Sequence, residues 1–174
     1  MVKQKTLIDE KDNQGCTPLI LAAVYNNSVC VHHLLEGKAD VSITDNQGQN
    51  VLHKAAKEGN KDVLKTIQDF LKKKDSYKED MKKLMSEKDV MGNTPLILAL
   101  ESVITGKTLK FLLDIDRDLE LNLISQNNKI KDTPMHRACR YINYGNLTLF
   151  QKSSFSPFAN LQRELAKESK VSIV

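Results

Sequence analysis

Asp12-Asn13-Gln14-Gly15-Cys16-Thr17-Pro18-Leu19-Ile20-Leu21-Ala22-Ala23 is answered 33 residues later by Asp45-Asn46-Gln47-Gly48-Gln49-Asn50-Val51-Leu52-His53-Lys54-Ala55-Ala56. The register persists beyond the quoted stretch, where Val31 falls on Leu64. Aligned on the turn before a helix start, the pattern occurs four times: Thr17-Pro18-Leu19, Asn50-Val51-Leu52, Thr94-Pro95-Leu96 and Thr133-Pro134-Met135. The starts lie 33, 44 and 39 residues apart, so the later units carry insertions. A recurring period of this length marks a solenoid, in which each unit buries its apolar face against its neighbours.

Each residue of the repeated stretch has a physical reason to be there. Proline at a first helical position forfeits nothing, because the first amides of a helix lack intrahelical partners. A threonine ahead of it caps one of those amides. Paired alanines make helices without bulk, so two layers can approach closely. Gly15, Gly48 and Gly92 stand where a turn tip calls for positive φ. Gly59, Gly106 and Gly145 are expected where a first helix ends and the chain reverses. Second helices follow, with apolar stripes Val29, Cys30, Val31, Leu34, Leu35, then Val63, Leu64, Ile67, Phe70, Leu71, then Leu109, Phe111, Leu112, Leu113. Spacings of three and four put such residues on one helix face, and all are expected in the packing between units. Leu34, Leu35, Leu112 and Leu113 in particular are expected to be buried.

At these residues the chain resembles the ankyrin repeat family. The opening D-x-x-G-x-T-P-L-H-x-A-A of that family is nearly met by residues 12–23, 45–56 and 89–99, and residues 133–138 are a looser fourth copy. The resemblance covers about residues 12–150. It implies an all-α ankyrin repeat solenoid of about four helix-turn-helix units with connecting β-hairpin loops. The units fall at about 12–44, 45–88 with an insertion at 72–88, 89–125 and 126–150. Residues 1–11 are expected to be a partial hairpin or N-terminal segment, since Leu7-Ile8-Asp9 stands 33 residues before Asp40-Val41-Ser42. Residues 151–174 form a non-repeat tail. There Ser156-Pro157 reads as a helix start, and Phe155, Phe158, Leu161 and Leu165 are expected to fold back as a cap on the last unit. His53 and His136 occupy the motif's histidine, which in the family hydrogen-bonds between adjacent turns; Ile20 and Ile97 replace it in the other two units.

The family's function implies a non-enzymatic protein-interaction module or scaffold that binds its partner on the concave face. Carried over by position, the contacts are Asn13, Gln14, Cys16, Val24 and Tyr25 in the first unit and Asn46, Gln47, Gln49, Lys57 and Glu58 in the second. In the third they are Val90, Met91, Asn93, Glu101 and Ser102, and in the fourth Arg140 and Tyr141. The partner is expected to be a protein. An alternative is the cytosolic ankyrin portion of a larger membrane protein, such as an ankyrin-bearing transient receptor potential cation channel. A scaffold or pathogen effector with its catalytic part elsewhere is a third reading.

Composition narrows the field further. The chain has 174 residues, 5% of them aromatic and no Trp, so its core must be aliphatic. No stretch approaches the ~18 apolar residues that read as a membrane span. No apolar run follows Met1-Val2-Lys3-Gln4-Lys5, so no secretory signal is read there. The three unclustered cysteines, Cys16, Cys30 and Cys139, fit reduced thiols and a cytoplasmic protein, and the glycosylation-type triplets at Asn26 and Asn146 are read as chance.

Catalytic motifs, phosphate loops and metal spacings are missing from the sequence, so no enzyme activity, cofactor or metal is expected. His32 and His33 are neighbours on a helix and point about 100° apart, which does not suit one metal. The formal charge is +4, and residues 72–88 hold seven lysines against four acids. Tyr77, Met81, Leu84 and Met85 recur there at helical spacing. The segment reads as a solvated helical extension, dispensable to the fold, and its acids and lack of stacking aromatics argue against nucleic acid. The terminal Ser172-Ile173-Val174 has the form captured by PDZ domains, a further partner type.

Overall fold

Helix starts set the frame. Thr17 Oγ1 accepts from the Ile20 amide at 3.3 Å, and Thr94 Oγ1 from the Ile97 amide at 3.4 Å. Asn50 does the same work in the second unit, accepting from Leu52 and His53 at 3.0 and 3.1 Å. His53 Nδ1 accepts in return from the Asn50 amide at 3.3 Å, which closes a capping box. The computed structural model describes residues 7–102, 106–134 and 136–137. Within them lie α1 (Pro18–Val24), α2 (Ser28–Glu36), α3 (Val51–Lys57), α4 (Lys61–Leu71), α5 (Tyr77–Ser86), α6 (Pro95–Ala99), α7 (Gly106–Asp118) and a 3-10 turn (Leu123–Ser125). No strand occurs among the described residues, and the connecting loops there are hydrogen-bonded turns.

The helices form two layers. The first helices of the units stack in an inner row, with α3 against both α1 and α6, and the second helices form an outer row in which α4 touches α2 and α7. Ala22, Ala23, Ala55, Ala56 and Ala99 are buried at the inner contacts, as small side chains at close helix approach should be. Val31, Leu35, Val63, Leu64, Ile67, Leu71, Leu109, Leu112 and Ile115 fill the space between layers. Full burial of side chains of this type stabilises by ~1.5–3 kcal/mol each.

Some stripe residues fall elsewhere than expected. Leu35 and Leu112 are buried, whereas Leu34 and Leu113 are half-buried, along with Cys30, Phe70 and Phe111. Val29 is exposed. Two positions before buried Val31, it points about 200° away around the helix and so cannot share its face.

The lysine-rich segment is a larger correction. It forms α5, which packs on α4 and α6, and Met81, Leu84 and Met85 are buried as deeply as any residue of the repeats. Gln68 Nε2 donates to Tyr77 Oη at 3.1 Å. Asn50 Nδ2 donates to the Leu84 carbonyl at 3.0 Å and to Glu87 Oε2 at 2.8 Å, tying the helix start of the second unit to the insertion. Lys78, Lys82 and Lys83 do remain exposed. The lysines therefore cover only the outer face of an amphipathic helix whose other face is core. Contact with α5 also explains why all five residues of α6 are buried: Pro95-Leu96-Ile97-Leu98-Ala99 is apolar all round and is covered all round.

Two smaller readings change as well. Gly59 takes φ +74° beyond α3, but Gly106 opens α7 instead of ending the helix before it. Leu7 and Ile8 are helical, not part of a hairpin, and Asp9 Oδ1 beyond them accepts from the Asp40 amide at 3.0 Å. Cys139, Arg140, Tyr141, Gly145, the second helix of the fourth unit, the tail at 151–174 and Ser172-Ile173-Val174 lie outside the described residues.

Truncating Met85 to Ala should lower unfolding stability by ~2–5 kcal/mol, read from the urea midpoint. Deleting residues 73–87 should lower it further or abolish the cooperative transition. Lys82→Ala, on the outer face of the same helix, should stay within ~0.5 kcal/mol of the parent.

Candidate functional site

Four turns of one design precede the first helices. In the first, Asp12 Oδ1 accepts from the amides of Gln14 and Cys16, both at 2.8 Å, while the Asp12 amide donates to the Cys16 carbonyl at 3.0 Å. Asp45 Oδ1 accepts from Gln47 and Gln49, both at 2.8 Å. Asp89 Oδ1 accepts from Met91 and Asn93 at 2.9 and 2.8 Å. In the fourth turn Asn128 Oδ1 accepts from Ile130 and Asp132 at 3.1 and 2.9 Å. A short side chain that accepts from amides two and four residues on satisfies the turn internally. The fourth residue of each turn has positive φ: +78° at Gly15, +71° at Gly48, +80° at Gly92 and +61° at Lys131. Three of the four are glycine, the residue for which that conformation carries no Cβ penalty.

The turns join into a row. Asn46 N–H donates to the Gln14 carbonyl at 3.0 Å, Val90 N–H to Gln47 at 2.9 Å and Lys129 N–H to Met91 at 3.1 Å. Side chains reinforce each joint. Asn46 Nδ2 donates to the Asn13 carbonyl at 3.2 Å, Gln49 Nε2 to Asp89 Oδ2 at 3.1 Å and Asn128 Nδ2 to Asn93 Oδ1 at 2.9 Å. The lysine before a turn also reaches the carbonyl before the next one: Lys11 Nζ to Thr44 at 2.7 Å and Lys88 Nζ to Asn127 at 3.0 Å.

This geometry sorts the residues carried over by position. Asn13, Gln14, Asn46, Gln47, Val90 and Met91 stand exposed at the tips, and Tyr25, Lys57 and Glu58 are exposed where α1 and α3 end. Tyr25 is 79% exposed, the largest value among exposed apolar side chains of the described residues. Val24 and Glu101 are half-buried. Cys16, Gln49, Asn93 and Ser102 are buried, so the structure does not place them on an open surface. The first three occupy the fifth position of a turn, which folds back on the first. Gln49 Nε2 donates to the neighbouring turn, whereas Asn93 Nδ2 donates to Asp89 Oδ2 of its own turn at 3.3 Å and Asn93 Oδ1 accepts from Asn128 of the next. Arg140 and Tyr141 are outside the described residues.

Other residues were missed. Lys129 and Ile130 are the fourth turn's tip, equivalent to Val90 and Met91, and alignment on Thr133-Pro134 would have placed them. Arg137 pairs with Glu101 and lies 3.2 Å from Asp132 Oδ2. Lys54, its equivalent in the second unit, reaches Asp45 Oδ2 at 2.7 Å. The signal was the basic residue after each motif histidine, in His53-Lys54 and His136-Arg137.

Electrostatics follow from burial. Burial drives the His53 pKa down, although the Asn93 carbonyl, 3.1 Å from Nε2, and nearby Asp89 and Glu87 oppose it. A neutral ring with its proton on Nε2 satisfies both that carbonyl and the Asn50 amide on Nδ1. Burial would raise the Asp45 pKa, but the Lys54 ammonium and the amides of Gln49 and Gln47 outweigh it and hold the carboxylate below its ordinary value. Burial raises the Asp116 pKa, partly offset by the Leu123 amide at 2.9 Å. No group of three His, Cys, Asp or Glu side chains among the described residues is arranged to hold a metal, and no helix among them is long and apolar enough to cross a membrane. The arrangement is one of presentation: a braced row of turns with its tip side chains in solvent.

Residues 2–76 match the family model for ankyrin repeats (3 copies). NF-kappa-B inhibitor delta from Mus musculus is 34% identical over 98 residues, 55% of this chain and 27% of that protein. Inversin from Canis lupus familiaris is 28% identical over 152 residues, 87% of this chain and 13% of that protein. Inversin from Mus musculus is 34% identical over 143 residues, 82% of this chain and 12% of that protein. The chain thus spans about a quarter or less of the length of these relatives.

Asp116 is a carboxylic acid with a raised folded pKa, so its unfavourable contribution grows as pH rises through that value. Asp116→Asn should therefore raise the unfolding midpoint at pH 7, with the gain shrinking toward pH 3. His53 is a base with a lowered folded pKa, so its stability is present above its unfolded value near ~6.5 and lost as pH falls. The parent should lose stability between about pH 7 and 5 more steeply than His53→Gln, measured by urea unfolding across that window.

Proposed function

We propose that this chain, which belongs to the ankyrin repeat family, is a non-enzymatic interaction module that holds a protein partner along its row of turn tips. Ankyrin repeats generally mediate protein–protein interaction. The observation that carries the reading to these residues is the internal satisfaction of the turns. Because Asp12, Asp45 and Asp89 already bind the amides of their own turns, the tip side chains Asn13, Gln14, Gln47, Val90 and Met91 are left to face a partner, while exposed Asn46 keeps its Nδ2 on the Asn13 carbonyl. A row braced at every joint loses little conformational freedom on binding, which favours affinity. Tyr25, at the end of α1, adds an exposed aromatic of the kind that anchors interfaces.

The thiols fit a reducing, cytoplasmic setting. Cys16 and Cys30 are free, and burial raises the Cys16 pKa, which keeps that thiol protonated and inert.

The test is affinity capture from a cell extract with the immobilised chain, followed by mass spectrometry. A partner should be retained by the parent and by the outer-layer variant Val29→Asp, and lost from a Tyr25→Ala, Gln47→Ala, Met91→Ala triple variant. Capture that survives the triple variant and fails with Val29→Asp would place the binding face on the outer helices and overturn the reading.

A further inference from the structure

We infer that the tips of the third and fourth turns are the anchor of this surface and that they take an acidic peptide segment carrying a large apolar side chain. The inference rests on the reading of the tip row as the binding face. Val90, Met91 and Ile130 are 52%, 51% and 56% exposed, on adjacent turns joined by the bond from Lys129 N–H to the Met91 carbonyl at 3.1 Å. The turn design does not require apolar tips. It needs an Asp or Asn first and a residue at positive φ fourth, and the first two turns meet both demands with Asn13-Gln14 and Asn46-Gln47 at their tips. Three exposed apolar side chains at one end of the row therefore cost solvation without serving the turn, which is the mark of a contact patch. Met91 is flexible enough to fit varied apolar anchors.

Charge selects the partner's chemistry. Lys88, Lys129 and Lys131 are exposed around the apolar tips. The acids of the same turns, Asp89 and Asp132, are buried, Asp89 on the amides of Met91 and Asn93 and Asp132 beside Arg137. These turns thus direct positive charge outward and keep negative charge inside. Lys88 is tethered to the Asn127 carbonyl at 3.0 Å, which holds its ammonium at the joint of the two turns. Lys131 takes φ +61° where the other three turns have glycine, so a long cationic side chain occupies the tip despite the backbone strain. A second copy of this chain would bring like charge against like, and a basic segment would be repelled. An apolar side chain laid on Val90, Met91 and Ile130, with carboxylates over the three lysines, is complementary in both respects.

The probe is a phage-displayed random-peptide library panned on the intact chain, with the enriched peptide synthesised, fluorescein-labelled and titrated by anisotropy. Enriched peptides should share a large apolar residue flanked by Asp or Glu. Met91→Ser with Ile130→Thr should weaken binding at least ~10-fold, and Lys129→Glu with Lys131→Glu should do likewise while removing its salt dependence. These substitutions are at exposed side chains; any variant with a lowered thermal midpoint is replaced by the single change Ile130→Ser. Neutral or basic consensus peptides, or no enrichment at all, would overturn the inference. Binding lost with Tyr25→Ala or Gln14→Ala but indifferent to Met91 and Ile130 would also overturn it, while leaving the tip row as the binding face. Binding lost only with Val29→Asp would remove both.

Discussion

One carboxylate oxygen holding two amides is the interaction on which the rest depends. In the first three units an aspartate closes its turn in this way, and an asparagine does so in the fourth. The closed turn delivers the chain to a helix start one residue later, with the capping side chain already in place at Thr17, Asn50 or Thr94. It also leaves one amide and one carbonyl at the tip free to bond the next turn. Spacing, direction and stacking of the helices follow from that arrangement, and so does the surface the tips present.

Units of the stack solve their inner contacts in two ways. Ile20-Leu21 and Ile97-Leu98 in the first and third units rely on packing, whereas His53-Lys54 and His136-Arg137 in the second and fourth bring polar groups to the same positions. The polar solution works at His53 because each ring nitrogen has a partner, the Asn50 amide and the Asn93 carbonyl. Without them a buried imidazole would lose the ~1–3 kcal/mol that an unsatisfied polar group costs. Lys54 and Arg137 then fix the acids of their own turns, and Arg137 also pairs with Glu101 of the third unit, so charge braces these turns as well as contact.

What could be read in the sequence is what one unit decides alone. Helix caps at Thr17 and Thr94, positive φ at Gly15, Gly48 and Gly92, and the burial of Leu35 and Leu112 all follow from a local pattern and its period. What could not be read is decided by neighbours. Met81, Leu84 and Met85 were masked by the lysines around them, because net charge along a segment says nothing about which helix covers its apolar face. Cys16, Gln49 and Asn93 lie one residue from a capping position in a turn read as surface, and their burial depends on the next turn folding over them. Tip exposure, the part that bears on function, was legible at Asn13, Gln14, Asn46, Gln47, Val90 and Met91. Each turn closes on its own first residue and its backbone makes the joint to the next turn, which leaves the second and third side chains exposed.

The seating of α5 breaks the one-dimensional character of the array. By touching α4 of the second unit and α6 of the third, it ties the outer layer of one repeat to the inner layer of the next. Ordinary solenoids share their stability evenly among equivalent interfaces and can fray from either side. Here one interior junction carries an extra helix, so opening it exposes three buried side chains beyond those of the repeats themselves. Amides of α3, α4 and α6 would then exchange with solvent only through a concerted opening, making the middle of the array its slowest-exchanging cooperative unit.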